Sequence, residues 1–281
     1  MAIRQKTEVL VLSIMLFTAI NLFGTEKAAM TATLQKAKAD LSAVLAAIDK
    51  DLAAASKKLA TMDLKNDEAR KILSSLCRGR PYVYDCAIVD MDGKLSVIEP
   101  DIARKYEGED ISFEPQVKDF FKTRAPLVSK VFKALDGTMY IDFIYPILTD
   151  KGEAIGAFSL LVSHEKLLEG TLAPLVKDQS CKIWVMQTDG LVIYDPDPVQ
   201  VNKNIFTDQM FREFADLISF AGIVAKEPSG AGSYSFYKKD LKDKAVLKDA
   251  VWDTVNMPAN EWRIVVAGRE RNQPIPKGTT P

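Results

Sequence analysis

The sequence predicts an α+β protein: one long N-terminal helix followed by two related modules, each built on an antiparallel sheet. Three observations carry that expectation. Residues 26–60 contain no Gly or Pro and space their leucines along one face of a helix. From Pro81 onward, apolar runs of strand length are separated by Asp-Gly turns. A strand, Asp-Gly, strand pattern also occurs twice, with Asp92 and Asp189 separated by 97 residues.

The N-terminal segment comes first. Arg4 and Lys6 precede an apolar run from Val9 to Gly24. As a helix this run reaches roughly 24 Å, short of a hydrocarbon core of about 30 Å. It reads as a signal peptide or a single short transmembrane anchor. No small-residue pair marks a cleavage site, which favours the anchor, and the basic residues ahead of it place the remainder of the chain outside the cytoplasm. Residues 26–76 form a helical spine. Its seam of Leu34, Leu41, Leu45, Ile48, Leu52 and Leu59 advances by 7, 4, 3, 4 and 7 residues, to pack on the protein's own sheets, on a second copy, or both. A polar break at 63–67 starts a second helix that runs to about Leu76.

The first module spans 77–170. Val83–Val89 and Leu95–Ile98 flank Asp90-Met91-Asp92-Gly93 as a hairpin, residues 99–126 carry mixed helix and loop signals, and strands follow at 127–132, 139–148 and 154–162. The second module spans 171–268. Ile183 to Asp197 restates Ala87 to Asp101, down to the paired triplets Glu99-Pro100-Asp101 and Asp195-Pro196-Asp197. A helical stretch at 208–225 and strands at 233–237, 246–256 and 262–267 complete it. Residues 269–281, with three prolines, are expected to be a disordered tail.

Composition removes many functions. Lys plus Arg number 37 against 38 Asp plus Glu, a balance without the basic excess that nucleic acid requires. One histidine, His164, excludes any site that needs two imidazoles. Three cysteines without a CxxC exclude a four-thiolate zinc site. Cys77 and Cys86 could form a disulfide in an oxidising compartment, or, with Cys181, simply be small buried residues. No nucleophile–base–orienter set can be assembled without relying wholly on His164, so no enzyme activity and no cofactor are expected.

Several local segments together resemble the Cache, or PDC, sensor family, extracytoplasmic relatives of PAS domains. These are Asp90-Met91-Asp92-Gly93 after an apolar strand, Tyr106-Glu107-Gly108-Glu109-Asp110-Ile111-Ser112, Ala125-Pro126-Leu127-Val128-Ser129-Lys130-Val131-Phe132, Tyr145-Pro146-Ile147 and Gly152-Glu153-Ala154-Ile155-Gly156. The resemblance covers about residues 26–268 and implies a double Cache-like fold, with small-molecule sensing in a membrane-distal first module and the second module proximal. The family's usual second transmembrane helix and cytoplasmic output domain are not recognisable here, and neither is the aromatic-Arg-aromatic signature of its amino-acid-binding subgroup.

Asp142 is the most informative single residue, because it interrupts the apolar strand Met139–Tyr145, where an ionised carboxylate is costly unless paired. Strand alternation puts it on one face with Tyr140, and Lys130 and Arg124 are the candidate counter-charges. Arg124, Lys130, Tyr140 and Asp142 are thus the candidate ligand-binding residues; the plainer alternative is a structural Asp142–Lys130 cross-strand pair. Phe113, Phe120 and Phe121 read as core, His164 as a surface or capping residue, Asp195 and Asp197 as turn formers. The expected function is an extracytoplasmic binder or sensor of a small organic acid or amine. It lacks its own output domain and acts through a membrane partner or a homodimer of the 26–60 helix. A membrane-anchored structural protein with ligand-free modules is the rival.

Overall fold

The computed structural model describes residues 2–177, 181–237 and 245–271, with side chains between 26 and 268. Helix α1 runs Ala2–Leu59 and α2 runs Asp67–Cys77. The polar break between them ends in Asn66, whose side chain accepts from the Ala69 amide at 2.8 Å and so caps α2. Among the described residues no helix is long and apolar enough to cross a membrane.

The first sheet holds β1 (Val83–Val89), β2 (Leu95–Glu99), β3 (Leu127–Val128), β4 (Phe132–Lys133), β5 (Met139–Leu148) and β6 (Ala154–Val162). Its order is β2-β1-β6-β5-β3, with β4 also paired to β5. Helix α3 (Pro115–Thr123) lies in the excursion between β2 and β3, and α4 (His164–Val176) leads to the second sheet. That sheet holds β7 (Lys182–Gln187), β8 (Val192–Tyr194), β9 (Gly230–Tyr237), β10 (Ala245–Met257) and β11 (Asn260–Arg271), in the order β8-β7-β11-β10-β9. Helix α5 (Ala215–Lys226) covers its outer face. Residues 272–281, most of the expected tail, lie outside the described residues, while 269–271 continue β11.

The repeat holds at the level of individual hydrogen bonds. The Ile111 amide donates to Gly93 O and the Ile205 amide to Gly190 O, both at 2.9 Å; Leu95 N donates to Glu109 O at 3.0 Å and Val192 N to Lys203 O at 2.9 Å. Both turn glycines have positive φ, 83° and 90°, and a Cβ on either would strike Ser112 or Phe206.

The leucine seam packs on the protein's own sheets. Leu34, Leu41, Leu45, Ile48, Leu52 and Leu59 are all buried, in one core with Ile88, Phe158 and Leu160 of the first sheet and Ile183, Val185 and Ile264 of the second. Each sheet has a separate outer core. The first gathers Ala87, Ile98 and Ile144 with Phe120 of α3; the second gathers Trp184, Trp252 and Tyr234 with Phe220 of α5. Phe113, expected in a core, is 57% exposed, just outside the helical cover. The expected strand 127–132 is broken into β3 and β4: between them the Ser129 amide still donates to Asp142 O of β5, while Ser129 O, Lys130 Nζ and the Val131 amide bond to the second module.

Cys77 and Cys86 are joined in a disulfide that ties the end of α2 to β1, and Cys181 is buried elsewhere. Closing a loop of nine residues should stabilise the fold by about 2.5 kcal/mol in the chain-entropy description. Cys77→Ser with Cys86→Ser, or reduction by dithiothreitol, should therefore lower the melting temperature by several degrees; an unchanged melt would show that the bond adds nothing to stability.

Candidate functional site

Strand alternation puts Asp85 of β1, Asp142 of β5 and Ser159 of β6 on the outer face of the first sheet, opposite α1. There they line a cavity of about 60 Å³. The excursion closes it with Tyr106, Ile111, Glu114 and Gln116, and the stretch from Phe132 to Asp136 forms a further wall. Four carboxylates, Asp85, Glu114, Asp136 and Asp142, line it together with the rings of Tyr84, Tyr106 and Phe132, and no Lys, Arg or His is among its lining residues.

Asp142 is 3% exposed and accepts a hydrogen bond from Ser159 Oγ at 2.7 Å. Burial, with the charge of Glu114 adding to it, pushes its carboxyl up to about 7 against the opposing bonds from Ser159 and the Leu160 amide. Asp85 is held well above the ordinary carboxylate range by burial and by the nearby charges of Asp142 and Asp136. Burial also raises Glu114. Tyr140 stacks on Tyr84 with centroids 4.8 Å apart and donates to Asp136 Oδ2 at 3.2 Å; burial and then the Asp136 charge lift the Tyr84 phenol to about 12. Ionisation of Asp142, Asp85 and Glu114 is thus disfavoured in the folded protein.

The structure brings only part of the expected set together. Asp142 lines the cavity, and Tyr140 stacks on a residue that does. The two cations lie elsewhere. Arg124 occupies the left-handed C-cap of α3 at φ 52°, with its guanidinium over the Phe121 and Phe120 rings at 4.9 and 5.6 Å. Lys130 reaches into the second module and donates to Asp189 Oδ2 at 2.9 Å, so it is neither in the cavity nor the cross-strand partner of Asp142. Asp85, Asp136 and Glu114 were not singled out from sequence. Asp85 carries the signal that identified Asp142, a carboxylate within an apolar strand, while Asp136 in a turn and Glu114 before a helix look like ordinary capping residues.

Among the described residues the second module has no counterpart of this acid cluster. With β1 matched to β7 at the 97-residue offset, the paired registers place Lys182 opposite Asp85, Val265 opposite Ser159 and Ala250 opposite Asp142. Trp184, Phe220 and Trp252 fill the equivalent face, with Trp184–Phe220 and Phe220–Trp252 centroids 6.4 and 5.4 Å apart. Asp195 is a turn former whose carboxylate accepts from the Asp197 amide at 2.7 Å, and burial raises it to about 7. His164, expected as a surface or capping residue, is fully buried at the start of α4. Its Nε2 lies 3.0 Å from Asn202 Oδ1, and burial lowers its pKa to about 4, which leaves it neutral at physiological pH.

Residues 43–163, which contain the cavity, match the family described as HK/GC/chemotaxis protein-like, sensor domain. No curated protein sequence matches the chain. Among solved structures it is similar to an extracellular ligand binding receptor from Desulfohalobium retbaense, at 25% identity and a TM-score of 0.72 over 85% of this chain. The chain spans 40% of that receptor's length. It is also similar to the periplasmic sensory domain of the Campylobacter jejuni chemoreceptor Tlp1, at 13% identity and TM-score 0.65, covering 88% of this chain and 95% of that one. The ligand binding domain of the Pseudomonas aeruginosa amino acid chemoreceptor PctB, in complex with L-Gln, matches at 12% identity and TM-score 0.61, covering 85% and 89%. The last two likenesses carry the fold alone: a long helix followed by two antiparallel sheets.

The raised carboxyl of Asp142 makes stability depend on pH. A folded pKa of about 7 above an unfolded one near 3.9 means that its contribution is fully present below about pH 4 and is lost as pH rises through about 7. Asp142→Asn should therefore gain stability relative to the parent as pH climbs from 5 to 8, read by thermal melts without ligand. A difference that stays flat or narrows with pH would show that Asp142 is ionised in the folded protein throughout.

Proposed function

We propose that this chain, a Cache-type sensor domain over residues 43–163 and tandem in fold, is an extracytoplasmic receptor for a small organic cation, bound in the first module. The observation that carries this reading is the acid-lined cavity without a basic residue. Buried carboxylates with raised pKa are costly when ionised and unpaired, and an ammonium group relieves that cost by charge-assisted hydrogen bonds to Asp142 and its neighbours. Tyr84, Tyr106 and Phe132 offer ring faces to the same charge. Among the described residues no group of three or more His, Cys, Asp or Glu is placed to hold a metal ion.

The chemistry separates amines from amino acids. An amino acid brings a carboxylate, which calls for an Arg, a Lys or a cluster of amides, and the lining supplies neither basic side chain. At roughly 10–15 Å³ per water-sized occupant, about 60 Å³ suits a ligand of about four to six non-hydrogen atoms. Of the two classes expected from sequence, organic acid and amine, this supports the amine.

The Cys77–Cys86 disulfide and the periplasmic and extracellular relatives support a location outside the cytoplasm, with the first module distal to the membrane, the second proximal, and the apolar segment before residue 25 as anchor or signal. The sensor fold is itself non-catalytic, so a bound ligand acts by shifting conformation. A homodimer or a membrane partner would receive that shift. The spine's outward face offers a contact for a second copy, since Ala28, Ala32, Ala39, Ala43 and Ala46 are exposed along it.

Calorimetry of the chain with propylamine, putrescine and tetramethylammonium, against propionate and glutamine, tests the reading. Amines should bind and the two carboxylates should not. Asp142→Asn should weaken amine binding by about 10- to 100-fold. Affinity should also rise by up to about tenfold per pH unit between pH 6 and 7, because Asp142 must lose its proton to receive the cation. Binding of propionate in preference to every amine would overturn the reading.

A further inference from the structure

The stretch from Val128 to Asp136 does two things. Its second half, Phe132 with Ala134 to Asp136, is a wall of the cavity. Its first half is fastened to the second module by four contacts that involve four consecutive residues. The Val128 amide donates to Pro258 O at 2.8 Å. Ser129 O accepts from Asn260 Nδ2 at 2.7 Å. Lys130 Nζ donates to Asp189 Oδ2 at 2.9 Å, and the Val131 amide donates to Gln187 Oε1 at 2.8 Å. On the second module these partners sit in the β10–β11 turn, at the start of β11, at the end of β7 and in the β7–β8 turn.

Ser129 ties the same stretch to the cavity's central acid. Its amide donates to Asp142 O at 2.8 Å, and its Oγ accepts from the Asp142 amide at 2.8 Å. We propose that residues 128–136 form a strap that couples the cavity to the second module, so that occupancy of the first module is transmitted through Ser129 and the wall to the β7–β8 and β10–β11 turns. The proposal rests on the first module's cavity being the ligand site and adds how that site reports.

A strap of this kind explains the broken strand. Residues 129–131 would continue the β3 ladder along β5 if local pattern alone decided; instead Ser129 keeps its bonds to Asp142 of β5 while Ser129 O, Lys130 Nζ and the Val131 amide bond to the neighbouring module. Coupling of this sort is reciprocal, so changes made in the second module must reach the cavity wall. The receiving side also carries its own reporter. All three tryptophans, Trp184, Trp252 and Trp262, belong to the second module, and Trp262 pairs directly with Gln187 in the sheet.

The test uses the full chain with Asp189→Asn and Asn260→Ala together, which removes the Lys130 ion pair and the Ser129 bond without touching the cavity. Amide hydrogen exchange without ligand should rise by at least about tenfold across 128–142 in this variant, and should not rise in Lys226→Ala, a second-module control. With propylamine as probe, the parent should change its tryptophan emission on binding, and the variant should lose that change while calorimetric affinity stays within about threefold. Unchanged exchange in the variant, or an emission change that survives in it, overturns the strap. If propylamine fails to bind but exchange rises, the strap stands and the amine reading falls; if it binds and neither readout moves, the amine reading stands and the strap falls.

Discussion

Everything in this structure is arranged around the need to bury one face of α1. Between residues 26 and 59 the helix extends about 50 Å, and its leucine seam from Leu34 to Leu59 about 37 Å, more than a single small sheet can cover. Two sheets share it: Leu41, Leu52 and Leu59 are wholly enclosed in a core that holds Ile88 and Phe158 of one sheet and Val185 and Ile264 of the other. The spine thereby sets the relative position of the two modules. It also occupies much of the inner face of each sheet, while the acid-lined cavity lies on the outer face of the first.

The outer faces are where the two repeats part. The hydrogen bonds that hold the Asp-Gly hairpins and the crossing segments behind them are the same in both modules. Yet the outer face of the first holds Asp85, Asp142 and Ser159, and the second holds Lys182, Ala250 and Val265 at the matching registers. Aromatic rings fill the second, which is the stable solution, since apolar surface removed from water contributes about 25 cal/mol per Å². The first gives up part of that stabilisation and shields carboxylates that resist ionising.

Much of the fold was legible because it depends on local period. The seam of α1, the Asp-Gly hairpins and the long strands 139–148 and 154–162 are set by which residues are apolar at spacings of 3.6 or 2. Asp142 was legible for a related reason, as a charge placed where the pattern demands none. Its partners were not. Lys130 and Arg124 were the nearest cations in sequence, and the structure sends one to Asp189 and the other back over Phe120 and Phe121. His164 and Phe113 exchanged their expected surroundings, since the group lying across from a residue at the end of an element is decided by chain that returns from far away, as Asn202 does to His164.

By itself, then, the sequence determined the class of fold, the duplication and the presence of one costly buried acid, because periodicity and desolvation act on a residue whatever its distant neighbours are. Only the tertiary structure decided what surrounds the acid. It gathered Asp85, Glu114 and Asp136 around Asp142, excluded the cations and bound residues 128–131 to the second module. Those outcomes depend on which side chains meet across sheets and between modules, and long-range contact of that kind leaves no spacing in the chain from which it can be read.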